Sequence, residues 1–235
     1  MPRTVDETEW LTRSTAPLRL ARFIQRRTSK RKLQLLSGTM CRLVKHYATP
    51  EFRSCLDAAM SFAHGEMSSS DYRNAIRHTP ATLRFAPPGE VQRLAPEFLA
   101  NRAILSAISS NVVSGIVRAM EWVLYAGRDD ATIPTQICDL FREIIGNPFR
   151  LWRIQPPWLA PGVRIAPDGS TLSISSAAFD LAREIDRSIR FDLLPLLADE
   201  LESAGLTDPG LIHHCRNGTH HLRGCWAVDL VLGKE

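Results

Sequence analysis

Long apolar runs are missing from this chain: no stretch approaches the roughly 18 consecutive apolar residues that a bilayer-spanning helix needs. The opening residues, MPRTVDETEW, lack the positive-then-apolar order of a secretory signal. Together these absences predict a soluble, cytoplasmic protein. Cysteine is sparse and odd in number, five in all, at 41, 55, 138, 215 and 225. That argues against a disulfide framework and for reduced thiols. A strong charge of one sign is also lacking, the formal net charge being only +4. Catalytic signatures are absent too: there is no G-x-S-x-G elbow, no P-loop, no G-x-G-x-x-G and no H-E-x-x-H.

What the chain does have is helical patterning. DETEWLTR starts with acidic residues that suit a helix N-terminus, and TAPLRLARFIQRR offers Thr15 as a cap with Pro17 in the first turn. TSKRKLQLLSGTMCRLVKHY places Leu33, Leu36, Met40, Leu43 and Val44 along one side, with Gly38 marking a close approach. TPEFRSCLDAAMSFAHGE and SSSDYRNAIRH continue the pattern. Residues 79–96 carry four prolines and one glycine and read as an irregular connector between possible sub-layers, 1–78 and 97–235, of a single helical domain. Beyond it, a mostly apolar stretch, 96–127, predicts one bent buried helix or two.

IPTQICDLFREIIGNPFR then stops at Gly146 with Pro148 just beyond. The only expected β-structure is a small hairpin near 162–175, with VRIA and TLSI flanking the turn residues PDGS. Helices return in SSAAFDLAREIDR, FDLLPLLADELESAG, TDPGLIHHCRN and THHLRGCWAVDLVLGKE. The fold class predicted is therefore mainly α, a multi-helix bundle with orthogonal packing and at most that one hairpin.

Three segments carry a resemblance. EWLTRSTAPLRLARFIQRRTSKRKLQLLSGTMCRLV, LFREIIGNPFR and FDLLPLLADELESAGLTDPGLIHHCRNGTHHLRGCWAVDLVLGKE together resemble an uncharacterised family of planctomycete bacterial proteins. The specific elements are GNPFR and the C-terminal H-x-R-G-C-W-x-V-D-L-x-L-G-K, and the match is weakest over 65–135. The chain departs from the family pattern near Cys41, where the relatives carry several cysteines and this chain has one, which weakens any cysteine-based site there. The resemblance implies a bacterial protein but no activity, substrate or cofactor.

The densest chemistry lies in HHCRNGTHHLRGCW, residues 213–226. On a last helix starting near Thr219, His221 and Cys225 share a face, with His214 and Cys215 one turn of chain away. His214, Cys215, His221 and Cys225 are thus a candidate metal set, zinc being the ion that takes four nitrogen or sulfur ligands in a tetrahedron. Against it, the spacing lacks paired C-x2-C knuckles, and neighbours such as 214 and 215 diverge by about 100° on a helix. The competing reading packs Cys215 and Cys225 as small hydrophobes, with His220 and His221 in the first turn of the last helix. It also makes Asp229, Arg216, Arg223 and Trp226 a structural clamp: Asp229 interrupts the apolar run WAVDLVLG, Arg216 or Arg223 is its natural partner, and Trp226 is an anchor.

The one basic concentration, Arg22, Arg26, Arg27, Lys30, Arg31 and Lys32, could neutralise phosphates, but no aromatic residues interleave with it. The better account has Arg26 and Arg27 closing one helix, where cations suit the dipole, and Lys30, Arg31 and Lys32 forming a solvated face of the next. The leading expectation is therefore a non-catalytic helical interaction or adaptor module with a protein partner, no catalytic residues, no cofactor and no membrane. The alternatives are the metal- or thiol-dependent site, with zinc, and a weak nucleic-acid binder using the basic cluster.

Overall fold

Most helices of the chain begin where a short polar side chain or a proline ends the preceding extended segment. The computed structural model describes residues 5–12, 16–77, 94–150, 153–154, 163–166, 169, 171–206, 208–218 and 220–234. The fold is mainly α, as the patterning predicts. By Cα proximity it comprises two units, Met1–Arg142 and Glu143–Glu235. The connector expected over 79–96 lies outside the described residues up to residue 93, as do Thr15 and the Pro167–Asp168 part of the hairpin turn.

The first unit holds α1 (Glu7–Leu11), α2 (Pro17–Ile24), α3 (Lys30–Leu43), α4 (Pro50–Ala63), α5 (Ser69–Ile76), α6 (Pro96–Ala107), α7 (Val112–Ala126) and most of α8 (Ile133–Ile145). Asp6, Ser29, Ser68 and Asn111 accept from backbone amides of α1, α3, α5 and α7 respectively, each cap typically stabilising its helix by about 1 kcal/mol. The apolar stretch 96–127 resolves into two helices because Asn111 caps α7. α3 and α7 lie at the centre of the unit, and α6 packs on α7. Gly38 is where α3 meets α4: a Cβ there would collide with the sulfur of Met60. The fully buried Trp10 meets Phe141 edge-on at 6.2 Å, and Arg142 donates from Nε to the Trp10 carbonyl at 2.7 Å.

The second unit opens with the last turn of α8, Glu143 to Ile145, and Gly146 ends that helix at φ +74°. The predicted hairpin is β2 (Val163–Ile165) with β3 (Thr171–Ser173), Val163 opposite Ser173, and Gly169 donates to the Ala166 carbonyl at 2.9 Å in its turn. A third strand, β1 (Arg153–Ile154), pairs antiparallel with β2 and extends the single hairpin expected to a three-stranded sheet. Two residues leave no alternating pattern to read, so this strand carries no sequence signature.

α9 (Ser176–Ser188), α10 (Leu194–Ser203), α11 (Pro209–Asn217) and α12 (Trp226–Leu232) complete the unit. Their core joins Ala178, Ala182, Ile185, Leu197, Leu201, Leu211, Cys215, Cys225, Val228 and Val231. The buried Arg164 of β2 donates to the carbonyls of Leu230 at 2.8 Å and Val231 at 2.9 Å, satisfying the C-terminal end of α12.

Candidate metal centre

Adjacent residues of α11 face different ways, and that divergence builds the site. Asp208 caps the helix by accepting from the Leu211 amide at 2.8 Å, which fixes its rotation. Leu211 and Cys215 then turn into the core, both nearly inaccessible, while His214 turns the other way. Burial pushes the Cys215 thiol up to about 12, the nearby Glu143 carboxylate adding to the shift and Arg216 opposing it. Cys215 is therefore a core thiol, and it is not among the residues that converge.

The last helix does not start near Thr219. Residues 220–225 lie outside any helix, and α12 begins only at Trp226. Gly224 takes φ +93° and Cys225 a ψ of 127°, conformations a continuous helix cannot contain. His220 and His221 are therefore not first-turn residues of α12, and His221 and Cys225 do not meet through helical spacing. They meet because the turn folds back. Gly218 permits this: a Cβ there would fall on the His221 ring and stand 2.7 Å from the His214 carbonyl oxygen.

The fourth participant is Glu143, from the last turn of α8, which sequence reasoning passed over. Its signal was modest: an acidic residue set in FREIIG, beside Ile144 and Ile145. Its side chain is 9% exposed. Glu143 Oε1 stands 3.2 Å from His221 Nδ1 and accepts from the Leu222 amide at 3.4 Å, while Oε2 lies 3.6 Å from His214 Nε2. His214 Nε2 is also 3.1 Å from the Cys225 sulfur. One ligand-type atom from each of Glu143, His214, His221 and Cys225 lies within 4.8 Å of the others. A tetrahedral ion with bonds of about 2.0–2.3 Å sets its ligands about 3.3–3.8 Å apart; the Glu143–His221, Glu143–His214 and His214–Cys225 separations of 3.2, 3.6 and 3.1 Å lie near this, within a set that spans up to 4.8 Å.

Burial dominates the electrostatics. It drives the His214 pKa down to about 4; Glu143 opposes the shift, and His221 and His213 add to it. The Cys225 thiol is raised well above its usual range by burial first and by the Glu143 carboxylate next, the amides of Val228 and Ala227 acting in opposition. Near neutral pH the pair is thus a neutral imidazole beside a protonated thiol. His221 Nε2 is buried with no hydrogen-bond partner, its side chain being 7% exposed. The His214 and His221 rings cross at 82° with centroids 4.9 Å apart, and the Trp226 ring lies 5.0 Å from that of His214. The partly buried Trp226 sits on Gly146, where a Cβ would stand 2.8 Å from the indole.

The other sequence-derived candidates lie elsewhere. Arg216 donates to Asp199 and Glu202 at the surface, so it does not clamp Asp229. Asp199 and Glu202 belong to α10, whose contact with α11 brings them to Arg216. Arg223 stands 3.9 Å from Asp186, which also binds Lys234 at 2.6 Å. Asp229 is buried within α12, at 1% exposure. Of the basic cluster, Arg26 and Arg27 follow α2, while Lys30, Arg31 and Lys32 form the first turn of α3. Arg27 lies over the Phe23 ring at 4.4 Å and donates to the Phe23 carbonyl, and Arg31 donates to the Ala63 carbonyl at 3.1 Å. Arg22, Arg26 and Lys30 are exposed. No protein-family model, curated protein or solved structure matches the chain.

Proposed function

We propose that the second unit binds one divalent transition-metal ion through Glu143, His214, His221 and Cys225. The observation that carries this reading is that a single nitrogen, His214 Nε2, faces both the Cys225 sulfur at 3.1 Å and a Glu143 oxygen at 3.6 Å. A thiol nucleophile with a histidine base and an orienting carboxylate uses the two ring nitrogens for the two partners. Here one nitrogen serves both, which suits atoms arranged around a common centre. The fully buried Cys225 also lacks the access that thiolate chemistry needs.

The donor set names the ion class. A thiolate, two imidazoles and a carboxylate suit zinc and its neighbours among divalent transition metals, whereas magnesium and calcium prefer oxygen donors. Charge supports the same choice: a thiolate and a carboxylate together offset a divalent cation, leaving no net charge in a buried place. An interaction-module role has behind it only exposed apolar side chains such as Leu196 and Ile189, which are ordinary on protein surfaces.

Elemental analysis of protein purified without added metal or chelator tests the reading, with about one zinc, iron, cobalt or nickel ion per chain expected. Losing even an outer partner of a metal ligand costs about 10–100-fold in affinity, so His214→Ala and Cys225→Ser should exceed that loss. Cys215→Ser should retain the ion. A chain that stays metal-free after incubation with zinc, or that loses the ion equally with Cys215→Ser, contradicts the assignment.

A further inference from the structure

The placement of the ligands along the chain says what a bound ion would do. His214, His221 and Cys225 come from one short stretch, whereas Glu143 lies 78 positions before His221. The stretch has little regular structure of its own. α11 has nine residues and α12 seven, and helices below about 12–15 residues are marginal in isolation. Between them, described backbone bonds are few: Gly218 donates to the His214 carbonyl at 3.1 Å, and Cys225 to the Leu222 carbonyl at 3.0 Å. No side-chain hydrogen bond caps α12.

Much depends on that turn nonetheless. It delivers Cys225, Ala227, Val228 and Val231 to the same core that α11 enters with Leu211 and Cys215, and α12 packs against α9. At its centre lie a carboxylate 9% exposed and a His221 nitrogen with no hydrogen-bond partner. Burying the carboxylate is costly, and coordination would offset that cost, with His221 facing it through Nδ1 at 3.2 Å. The ligand positions are closed as well. Cys225 is fully buried, and the His221, Glu143 and His214 side chains are 7%, 9% and 16% exposed. Structural metal sites use four protein ligands in this way, while reaction centres keep a position for water or substrate.

We propose, resting on the metal-binding reading above, that the ion is a folding element: it closes the His214–Cys225 turn onto Glu143, and its occupancy sets the order of α11 and α12. In the metal-free chain this segment opens more readily than the zinc form allows, with the loss concentrated in residues 209–232.

The full-length chain stripped by chelator, and the same chain reloaded with cobalt or zinc, supply the test. Cobalt absorption, with its thiolate charge-transfer band, reports binding at Cys225; amide hydrogen exchange reports order. With free zinc at 100 times its Kd, protection across 209–232 should rise roughly 100-fold, the linkage factor for a ligand that binds only the closed form. Protection in α3 serves as the internal reference. Glu143→Gln keeps the shape of the side chain and removes its charge. It should fold without metal at least as well as the wild type, and gain less than about a tenth of the wild-type protection on adding zinc. A cobalt spectrum accompanied by equal protection with and without metal would overturn the folding role and leave the binding site standing. Zinc protection in Glu143→Gln equal to that of the wild type would also overturn it. No cobalt spectrum and no zinc uptake would remove the binding reading and the folding role together.

Discussion

Buried as a neutral imidazole, His214 resists protonation down to about pH 4 in the folded chain, whereas an unfolded chain takes up that proton near pH 6.5. Between those values the unfolded state binds more protons, so stability rises with pH across the window. The metal-free protein should therefore hold its stability above pH 6.5 and lose up to about 3 kcal/mol as pH falls towards 4. Urea titrations at successive pH values would show this slope, and His214→Asn should flatten it. An unchanged slope in the variant would assign the acid sensitivity to other groups. The same residue shows what the sequence disclosed: His214, His221 and Cys225 stood out by type, and all three converge. Cys215 stood out equally, yet the turn of one helical position carries it into the core beside Leu211. Glu143 did not stand out, because burial, which gives a carboxylate its meaning, is a property of the folded chain.

Among the elements, the helices with local start signals were legible. Pro17, Pro50, Pro96 and Pro209 all sit in first turns, and Ser29, Ser68 and Asp208 supply side-chain caps. Thr49 shows the limit: it occupies the cap position of α4 but its side chain caps no helix amide, and its own amide donates to Asn101 of α6 at 3.1 Å. The last helix was misplaced for a related reason. His221, Cys225, Val228 and Leu232 repeat at helical spacing, but periodicity cannot register that Gly224 adopts a positive φ. Nor did any pattern announce Arg164, a charged residue in a short strand that holds the C-terminal end of α12. Hydrogen bonds from a charged donor contribute about 1.5–3 kcal/mol, and without Arg164 the Leu230 carbonyl would keep only the Gly233 amide, at 3.3 Å. Arg164→Gln should accordingly destabilise the chain by about 2–3 kcal/mol in urea unfolding. Lysine should recover only part of this, since a single ammonium cannot reproduce the guanidinium fork. Full recovery by lysine would mean that charge alone, not the paired geometry, holds the helix end.

At the scale of the whole chain, the division into two units was not legible, because it falls between Arg142 and Glu143, inside one continuous helical pattern. Each unit has its own core, and their helices differ in length. The first contains α3, α4 and α7, of 14, 14 and 15 residues, beside shorter helices; in the second α9 has 13, and the helices that carry the His214–Cys225 turn, α11 and α12, have only 9 and 7. In the metal-free chain, hydrogen exchange at graded urea should therefore show the second unit opening at lower denaturant than the first, with zinc narrowing the gap. Coincident opening of both units in both forms would argue for a single cooperative block.

The position of Glu143 has a consequence for chemistry as well. Three of the four donors travel together in one short stretch, and only the carboxylate comes from far along the chain. Glu143→Ala would leave two imidazoles and a thiolate, the ligand count of metal centres that activate water. With the proposed ion bound, that single substitution would exchange a closed set of four protein ligands for three and a vacant position, so an opening for water would arise by subtracting a side chain.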